Sequence, residues 1–227
     1  MEIQDNFLKY VPIFSELGAD ALEKISRLGK KRFFAKDSVI FLEQESGSAL
    51  FVIAKGKVKV SRVSDDGREI ILTILRESDF FGEMAIIDGF ARSANVTAME
   101  DSELFIIQRT DFMNLLYERP EVSIALLLEL TKRLRAADVK IKSLSLKDAE
   151  GKVATVILQL ADDMGKIRQG LVEIEKIPLQ QDLANMAGTS RETISRTLHS
   201  FSKKNLIEMD GNKLRILDYQ KFKDLYS

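Results

Sequence analysis

The residues best suited to chemistry in this 227-residue chain are arginines and glutamates set beside serines and glycines in two short segments. The first runs from Gly188 to Ser202, GTSRETISRTLHSFS. Ser190 is a good helix N-cap, because its hydroxyl accepts from the free amides of the first turn. Arg191, Glu192, Ser195 and Arg196 then share one exposed sector near that helix N-terminus. The positive end of a helix favours anions, so two arginines there work against the macrodipole. Arginine can grip guanine O6 and N7 with two bonds, and glutamate can accept from cytosine N4. The pattern points to a DNA major groove. Lys203 and Lys204 fall further along, where phosphate contact is expected, and His199 is open to either phosphate contact or plain solvation.

The second segment is Phe80 to Val96, FFGEMAIIDGFARSANV. Gly82 permits a positive φ or a close backbone approach. Glu83 follows it, where a carboxylate can accept from a hydroxyl. Arg92, Ser93 and the small Ala94 come nine to eleven residues later. An arginine beside a serine and free backbone amides can cradle a phosphate. A ribose phosphate would satisfy both ends. A structural Glu83–Arg92 ion pair across the loop fits the same residues equally well. Glu83 and Asp88 could also be read as a carboxylate pair for catalysis, but no nucleophile, histidine or metal cluster accompanies them, so an enzyme is not expected.

These segments need elements to hold them. Gln181 to Ala187 has the spacing of a short amphipathic helix with Leu183, Met186 and Ala187 inward, and Gly188 sits where its C-terminus needs a left-handed residue. Helix, glycine turn and capped second helix make a helix-turn-helix. Ile194, Leu198 and Phe201 give the second helix its buried face. Leu206–Glu208 and Lys213–Ile216 flank the hairpin signal Asp210–Gly211–Asn212, which adds a wing. From Lys31 to about Arg109 the apolar period is two, in short runs separated by turn signals such as Lys55–Gly56 and Asp65–Gly67, as in an antiparallel sandwich or barrel. Residues 4–29 read as helical, and so does the chain from Asp111. Leu127, Leu130, Leu134, Ala137, Ile141 and Leu144 form an a/d stripe with charges on the other faces, including Arg133. Such a seam fits a second copy of the same helix, although packing on another part of the chain is the alternative. A break is expected near Asp148–Gly151, and Asp162–Gly170 reads as a loop.

Composition narrows the classes. Hydrophobic residues are 45% and charged residues 30%, an ordinary globular balance. There is no cysteine and a single histidine, which argues against disulfides, thiolate-held iron–sulfur clusters and a histidine metal site. Met1–Asp5 does not read as the start of a signal peptide and no run is long enough to span a membrane, so a cytoplasmic protein is expected. From Lys166 onward there are eleven Lys and Arg against eight Asp and Glu, while the whole chain has net charge −1. Only the C-terminal part has the sign that duplex DNA prefers.

On Gly82–Glu83–Met84–Ala85, Arg92–Ser93–Ala94 and Ser190–Arg191–Glu192–Thr193–Ile194–Ser195–Arg196, the chain resembles the Crp/Fnr family of bacterial transcription regulators, over nearly its whole length. The resemblance implies an α+β protein in three parts. Residues 1–110 would form an effector domain, an antiparallel β-barrel (jelly roll) of the cyclic-nucleotide-binding type. Residues 111–147 would form a long dimerisation helix with its seam at 127–144, and residues 148–227 a winged helix-turn-helix. It also implies that Glu83 takes the ribose 2′-hydroxyl of a cyclic nucleotide, and Arg92 and Ser93 its phosphate, with backbone help from Gly82 and Ala94. A homodimer would bind a palindromic operator through Ser190, Arg191, Glu192, Ser195, Arg196, His199 and Lys203, with TG in the half-site core. RNA polymerase is the implied partner and activation the commoner outcome. Aligning Arg133–Leu134 with the family puts Ala137 and Asp138 where a threonine–serine pair holds adenine. Asp138 could accept from a guanine edge, so cAMP and cGMP are both open. Leu179 stands where a threonine usually caps the first helix of the reader, with Gln180 as a substitute. A regulator of this family that needs no ligand, and a nucleotide-binding module acting on a protein partner, remain the other readings.

Overall fold

The computed structural model describes residues 6–168 and 170–226. Met1–Asp5, which hold the start of the expected helix and the segment read for a leader, lie outside the described residues, as do Gln169 in the expected 162–170 loop and Ser227. The chain divides into two compact units, Met1–Leu134 and Arg135–Ser227.

The first unit opens with a 3-10 turn, Asn6–Tyr10, and helix α1, Ala19–Leu28. The single helix expected over 4–29 is therefore two pieces. Pro12 and Gly18 lie between them and interrupt the backbone ladder. Eight strands follow: β1 Gly29–Phe34, β2 Val39–Phe41, β3 Ala49–Lys55, β4 Lys57–Val63, β5 Glu69–Arg76, β6 Phe80–Phe81, β7 Asn95–Ala98 and β8 Ser102–Gln108. A six-residue helix, α2 (Glu83–Asp88), interrupts them between β6 and β7. The strands form two antiparallel sheets ordered β1–β8–β3–β6 and β2–β7–β4–β5. Phe51, Ile53 and Leu104 from one sheet meet Val58, Leu75, Val96 and Ala98 from the other in one apolar cluster. The opposite face of β3 and β8, with Leu50, Val52, Phe105 and Ile107, packs on Ile13, Phe14, Ile25, Phe112 and Leu115. β3 is thus buried on both faces, which is why it reads as an unbroken apolar run and not an alternation.

Helix α3 (Arg109–Glu118) and helix α4 (Pro120–Leu146) replace the single helix expected over 111–147. Pro120 causes the break. A proline suits the first position of a helix, and it drives the preceding residue out of helical geometry. Arg119 accordingly has φ −132° and ψ 81°. On α4 the seam residues Leu127, Leu134 and Ile141 are 63%, 64% and 62% exposed. Among the described residues no helix is long and apolar enough to cross a membrane.

The second unit contains α5 (Ala149–Met164), β9 (Lys166–Arg168), β10 (Leu171–Ile174), α6 (Gln180–Ala187), α7 (Arg191–Lys203), β11 (Ile207–Asp210), β12 (Lys213–Ile216) and α8 (Tyr219–Tyr226). The expected break before α5 is present. Asp148 is its N-cap and accepts from the Gly151 amide at 2.8 Å, so Gly151 lies in the first turn and not in a linker. The expected 162–170 loop is mostly ordered otherwise: α5 continues to Met164, and β9 pairs with β10. The wing is the outer half of a four-stranded sheet ordered β11–β12–β10–β9. Asp210 pairs with Lys213, leaving Gly211–Asn212 as a two-residue turn with Gly211 at φ +57°.

On this sheet the Glu173 carboxylate accepts from Lys213 Nζ at 2.9 Å and Arg215 Nε at 2.8 Å. The Lys213 bond first, and then the Arg215 bond, hold the carboxyl down to about 2. A folded-state pKa below the unfolded value stabilises above the unfolded pKa and loses that contribution as pH falls through the folded one. The melting temperature of wild type is expected to exceed that of Glu173→Gln at pH 6, with the gap closing between pH 4.5 and about 2. Thermal scans across that window check it, and a constant gap would reject this role for the carboxylate.

Candidate functional site

The segment from Phe80 to Val96 is held by β6, α2 and β7, all in the first unit. Gly82 ends β6 in the left-handed region, φ +83° and ψ 7°. A Cβ there would lie 2.6 Å from Arg92 Nη1 and 3.1 Å from the Ala49 carbonyl oxygen, so glycine is needed for space as well as conformation. Arg92 Nη1 donates to the Gly82 carbonyl at 2.8 Å, and Nη2 to the Ala49 carbonyl at 2.9 Å. The side chain is only 4% exposed, and its Nε is buried with no partner among the described residues. No carboxylate among the described residues pairs with it. Burial pushes the guanidinium below its ordinary value, and Glu83 and Glu45 oppose that through space.

Glu83 is also buried, 5% exposed, but its partner is not Arg92. Arg133 of α4 donates Nη1 to Glu83 Oε1 at 3.0 Å and Nη2 to the Phe80 carbonyl at 2.6 Å, with its guanidinium 4.4 Å from the Phe80 ring centre. The structural Glu83–Arg92 pair is therefore not what forms. Arg133, expected only as one of the charges on the other faces of α4, thus has a specific partner. Its place in the charged pattern of α4 hid it, and only its position opposite a lone buried carboxylate marks it out. Ser93 is exposed, with its hydroxyl 3.7 Å from Met84 Sδ, and Ala94 is buried. The fold brings Gly82, Glu83, Arg92, Ser93 and Ala94 into one loop-and-helix cassette. Asp138 belongs to the other compact unit, and its side chain is exposed on α4.

In the second unit Gly188 closes α6 at φ +60° and ψ 43°, and the Thr189 amide donates to the Ala184 carbonyl at 3.0 Å. Ser190 then caps α7, accepting from the Thr193 amide at 3.2 Å. The helix splits cleanly into two faces. Ile194, Thr197, Leu198 and Phe201 are buried, while Arg191, Glu192, Ser195, Arg196, His199 and Lys203 are exposed on the other side. Arg196 Nη2 reaches Thr193 Oγ1 at 3.3 Å. Its own backbone amide, then the Ser190 hydroxyl, hold the Glu192 carboxyl below the ordinary carboxylate range. At neutral pH it is ionised and accepts only. The α6 cap position falls on Leu179, whose side chain offers no acceptor; Gln180 is the first helical residue and does not take the capping place.

An antiparallel β-sandwich with an arginine–glutamate cassette and a winged helix-turn-helix with an exposed basic reading face together define a DNA-binding transcription regulator with an effector domain. Residues 31–119 match the family model of the cyclic nucleotide-binding domain, and residues 151–225 that of the Crp-like helix-turn-helix domain. The chain is 31% identical to the CRP-like cAMP-activated global transcriptional regulator of Mycobacterium tuberculosis, over 96% of this chain and 97% of that one. It is 34% identical to the cyclic AMP receptor protein of Thermus thermophilus, over 92% of this chain and 94% of that one. A mutant of CooA from Carboxydothermus hydrogenoformans shares the fold, with a TM-score of 0.81 at 23% identity over 100% and 98% of the two chains. The chain belongs to the Crp/Fnr family of transcription regulators.

Removing one member of a buried ion pair strands the other, whereas removing both need not. A double-mutant cycle of Glu83→Gln with Arg133→Met is expected to give a coupling in the range of about 0.5–3 kcal/mol. The lower end is expected, because the Arg133 side chain is 34% exposed and water screens the pair. Denaturant titration of the four proteins measures it, and a coupling of zero would remove the pair from the account of this site.

Proposed function

We propose that the chain is one protomer of a homodimeric transcription activator, acting in the cytoplasm, whose grip on a palindromic operator is set by a cyclic nucleotide. The observation that carries the effector part is Arg92. A cation buried without an anion is unfavourable, and a cyclic phosphate supplies the missing charge. In this reading Arg92 and Ser93 take the phosphate with the backbone of Gly82 and Ala94, Glu83 takes the sugar hydroxyl, and Asp138 accepts from the base edge. Glu83 is already bonded to Arg133, so a sugar that engages Glu83 acts directly on an α4 residue.

The exposed stripe Leu127, Leu134 and Ile141 supports the homodimer, because apolar residues seven apart on one helix suit a copy of the same stripe. Two protomers related by a two-fold axis would set their α7 helices in successive major-groove faces. One turn of B-DNA separates those faces by about 34–36 Å, the half-site spacing general to dimeric helix-turn-helix proteins, Crp-type activators among them. Arg191, Glu192, Ser195 and Arg196 read bases, and Ser190, His199 and Lys203 lie along the backbone. The effector shifts the equilibrium only by its difference in affinity for the two dimer states. RNA polymerase is the partner of the DNA-bound dimer.

Calorimetry with cAMP and with cGMP tests the effector site. Heat of binding is expected with one of them, and Arg92→Ala is expected to abolish it; no heat with either in wild type would defeat the cyclic-nucleotide reading. On the DNA side, Arg191→Ala or Arg196→Ala should each weaken specific binding by roughly 1–3 kcal/mol and relax the preference at one base pair. Gel shifts on a palindrome and its single-base variants separate this from phosphate contact, which would show as an equal loss on every sequence.

A further inference from the structure

Successive residues of a strand point to opposite faces of their sheet. On β2 they do not, because Ile40 and Phe41 both pack against the apolar cluster between the sheets. The pairing of β2 with β7 explains it. Val39 faces Thr97 and Phe41 faces Val96, so two steps on β2 match one on β7, and the strand carries a bulge. Bulges re-aim side chains. Here the ring that is turned inward meets a guanidinium: Phe41 lies 4.3 Å from Arg92 Cζ, and Phe51 lies 5.6 Å from it. Phe41 in turn rests on Phe51 and Phe81, at 5.6 and 5.8 Å between ring centres, and those two rings stack at 5.1 Å.

The loop after β2 holds the same arginine by its backbone. The Gln44 amide donates to the Arg92 carbonyl at 2.9 Å, and the Arg92 amide donates to the Glu45 carbonyl at 2.8 Å. Gly47, in the same loop, leaves the room that the guanidinium needs. A Cβ there would lie 3.2 Å from Arg92 Cζ and 2.4 Å from the Ala85 Cβ. Two carbonyls hold the guanidinium along its edge, and the Phe41 ring lies against it.

We propose that Phe41, aimed by the β2 bulge, is a positioning residue of the effector site: its ring holds the Arg92 guanidinium in the orientation from which that group takes an anion. Phe41 acts through Arg92 and does not itself meet the effector. The inference rests on the reading of Arg92 as the anion anchor, and it extends that reading to a residue on a different strand. A cation over an aromatic face gains electrostatic energy that an aliphatic side chain of similar bulk does not supply.

The test uses the full chain with Phe41→Leu and Phe41→Tyr, and has two readouts. The first needs no effector. In a ¹⁵N-edited spectrum the Arg92 Nε–H signal, assigned by its loss in Arg92→Lys, is expected to be displaced by the ring current in wild type and in Phe41→Tyr. In Phe41→Leu it should return toward the position of a free arginine. An unmoved signal in folded Phe41→Leu overturns the inference. The second is calorimetry with cAMP and cGMP. Phe41→Leu is expected to weaken the nucleotide that wild type binds by about 2- to 30-fold, with Phe41→Tyr restoring it. Equal affinity in Phe41→Leu and wild type also overturns the inference. If wild type binds neither nucleotide, the effector reading fails by itself, and the arginine signal still decides whether Phe41 orients Arg92.

Discussion

The first unit is organised around a positive charge buried without a negative one. Arg92 stays ionised at any ordinary pH, because a guanidinium does not give up its proton in a protein. Its burial therefore has to be compensated by geometry, and the surrounding residues show how. Two backbone carbonyls accept from its terminal nitrogens, and the Phe41 ring, with Phe51 beside it, lies against the guanidinium. Two glycines, Gly47 and Gly82, leave out side chains that would collide with it. The Nε, unpartnered among the described residues, shows that the compensation is incomplete. A buried donor without an acceptor costs roughly 1–3 kcal/mol.

The neighbouring carboxylate follows a different logic. Glu83 is as deeply buried as Arg92, yet it directs its charge to Arg133 and not to Arg92. Two buried opposite charges in one cassette thus do not bond to one another, and Glu83 acts on Arg92 only through space. Their separation keeps a donor group and an acceptor group both present, which a molecule bearing an anion and a hydroxyl can use together. It also places a residue of α4 in direct contact with the acceptor. Any partner that Glu83 acquires competes with, or reorients, Arg133, and α4 is the helix that carries the exposed apolar stripe.

Much of this was readable from the chain because it depends on local rules. The left-handed Gly82 and Gly188, the Ser190 cap, the wing turn at Gly211–Asn212 (one residue shorter than the Asp210–Asn212 expected, because Asp210 joins β11) and the two faces of α7 follow from the residue types at those positions. The parts that were not readable depend on distant residues. Arg133 looks like any coiled-coil surface charge until Glu83, fifty positions earlier, is set beside it. β9 and β10 are three and four residues long, too short for a periodicity to show, and exist because β12 offers β10 an edge and β10 in turn offers one to β9. The helix break at Pro120 was a local signal, but the strong seven-residue stripe beyond it drew the whole of 111–147 into one helix. Phe41 was hidden by the bulge, since ordinary alternation puts it on the opposite side from Ile40.

The reading helix raises the same question as Arg92, at the surface. Arg191 stands in the first turn of α7, where the helix end is positive, at a disadvantage of roughly 0.3–1 kcal/mol, and Arg196 follows in the second turn. Glu192 offsets part of this, since its carboxylate accepts from its own amide and the Ser190 hydroxyl at the same helix end. Ser190 satisfies a further amide. The local compensation leaves the arginines without a bonded carboxylate among the described residues, and directed away from the buried face of Ile194, Leu198 and Phe201. In both units, then, the arrangement keeps an arginine without a bonded carboxylate among the described residues, with carboxylates acting on it only through space. A cation without a bonded carboxylate can serve as a recognition element for anions.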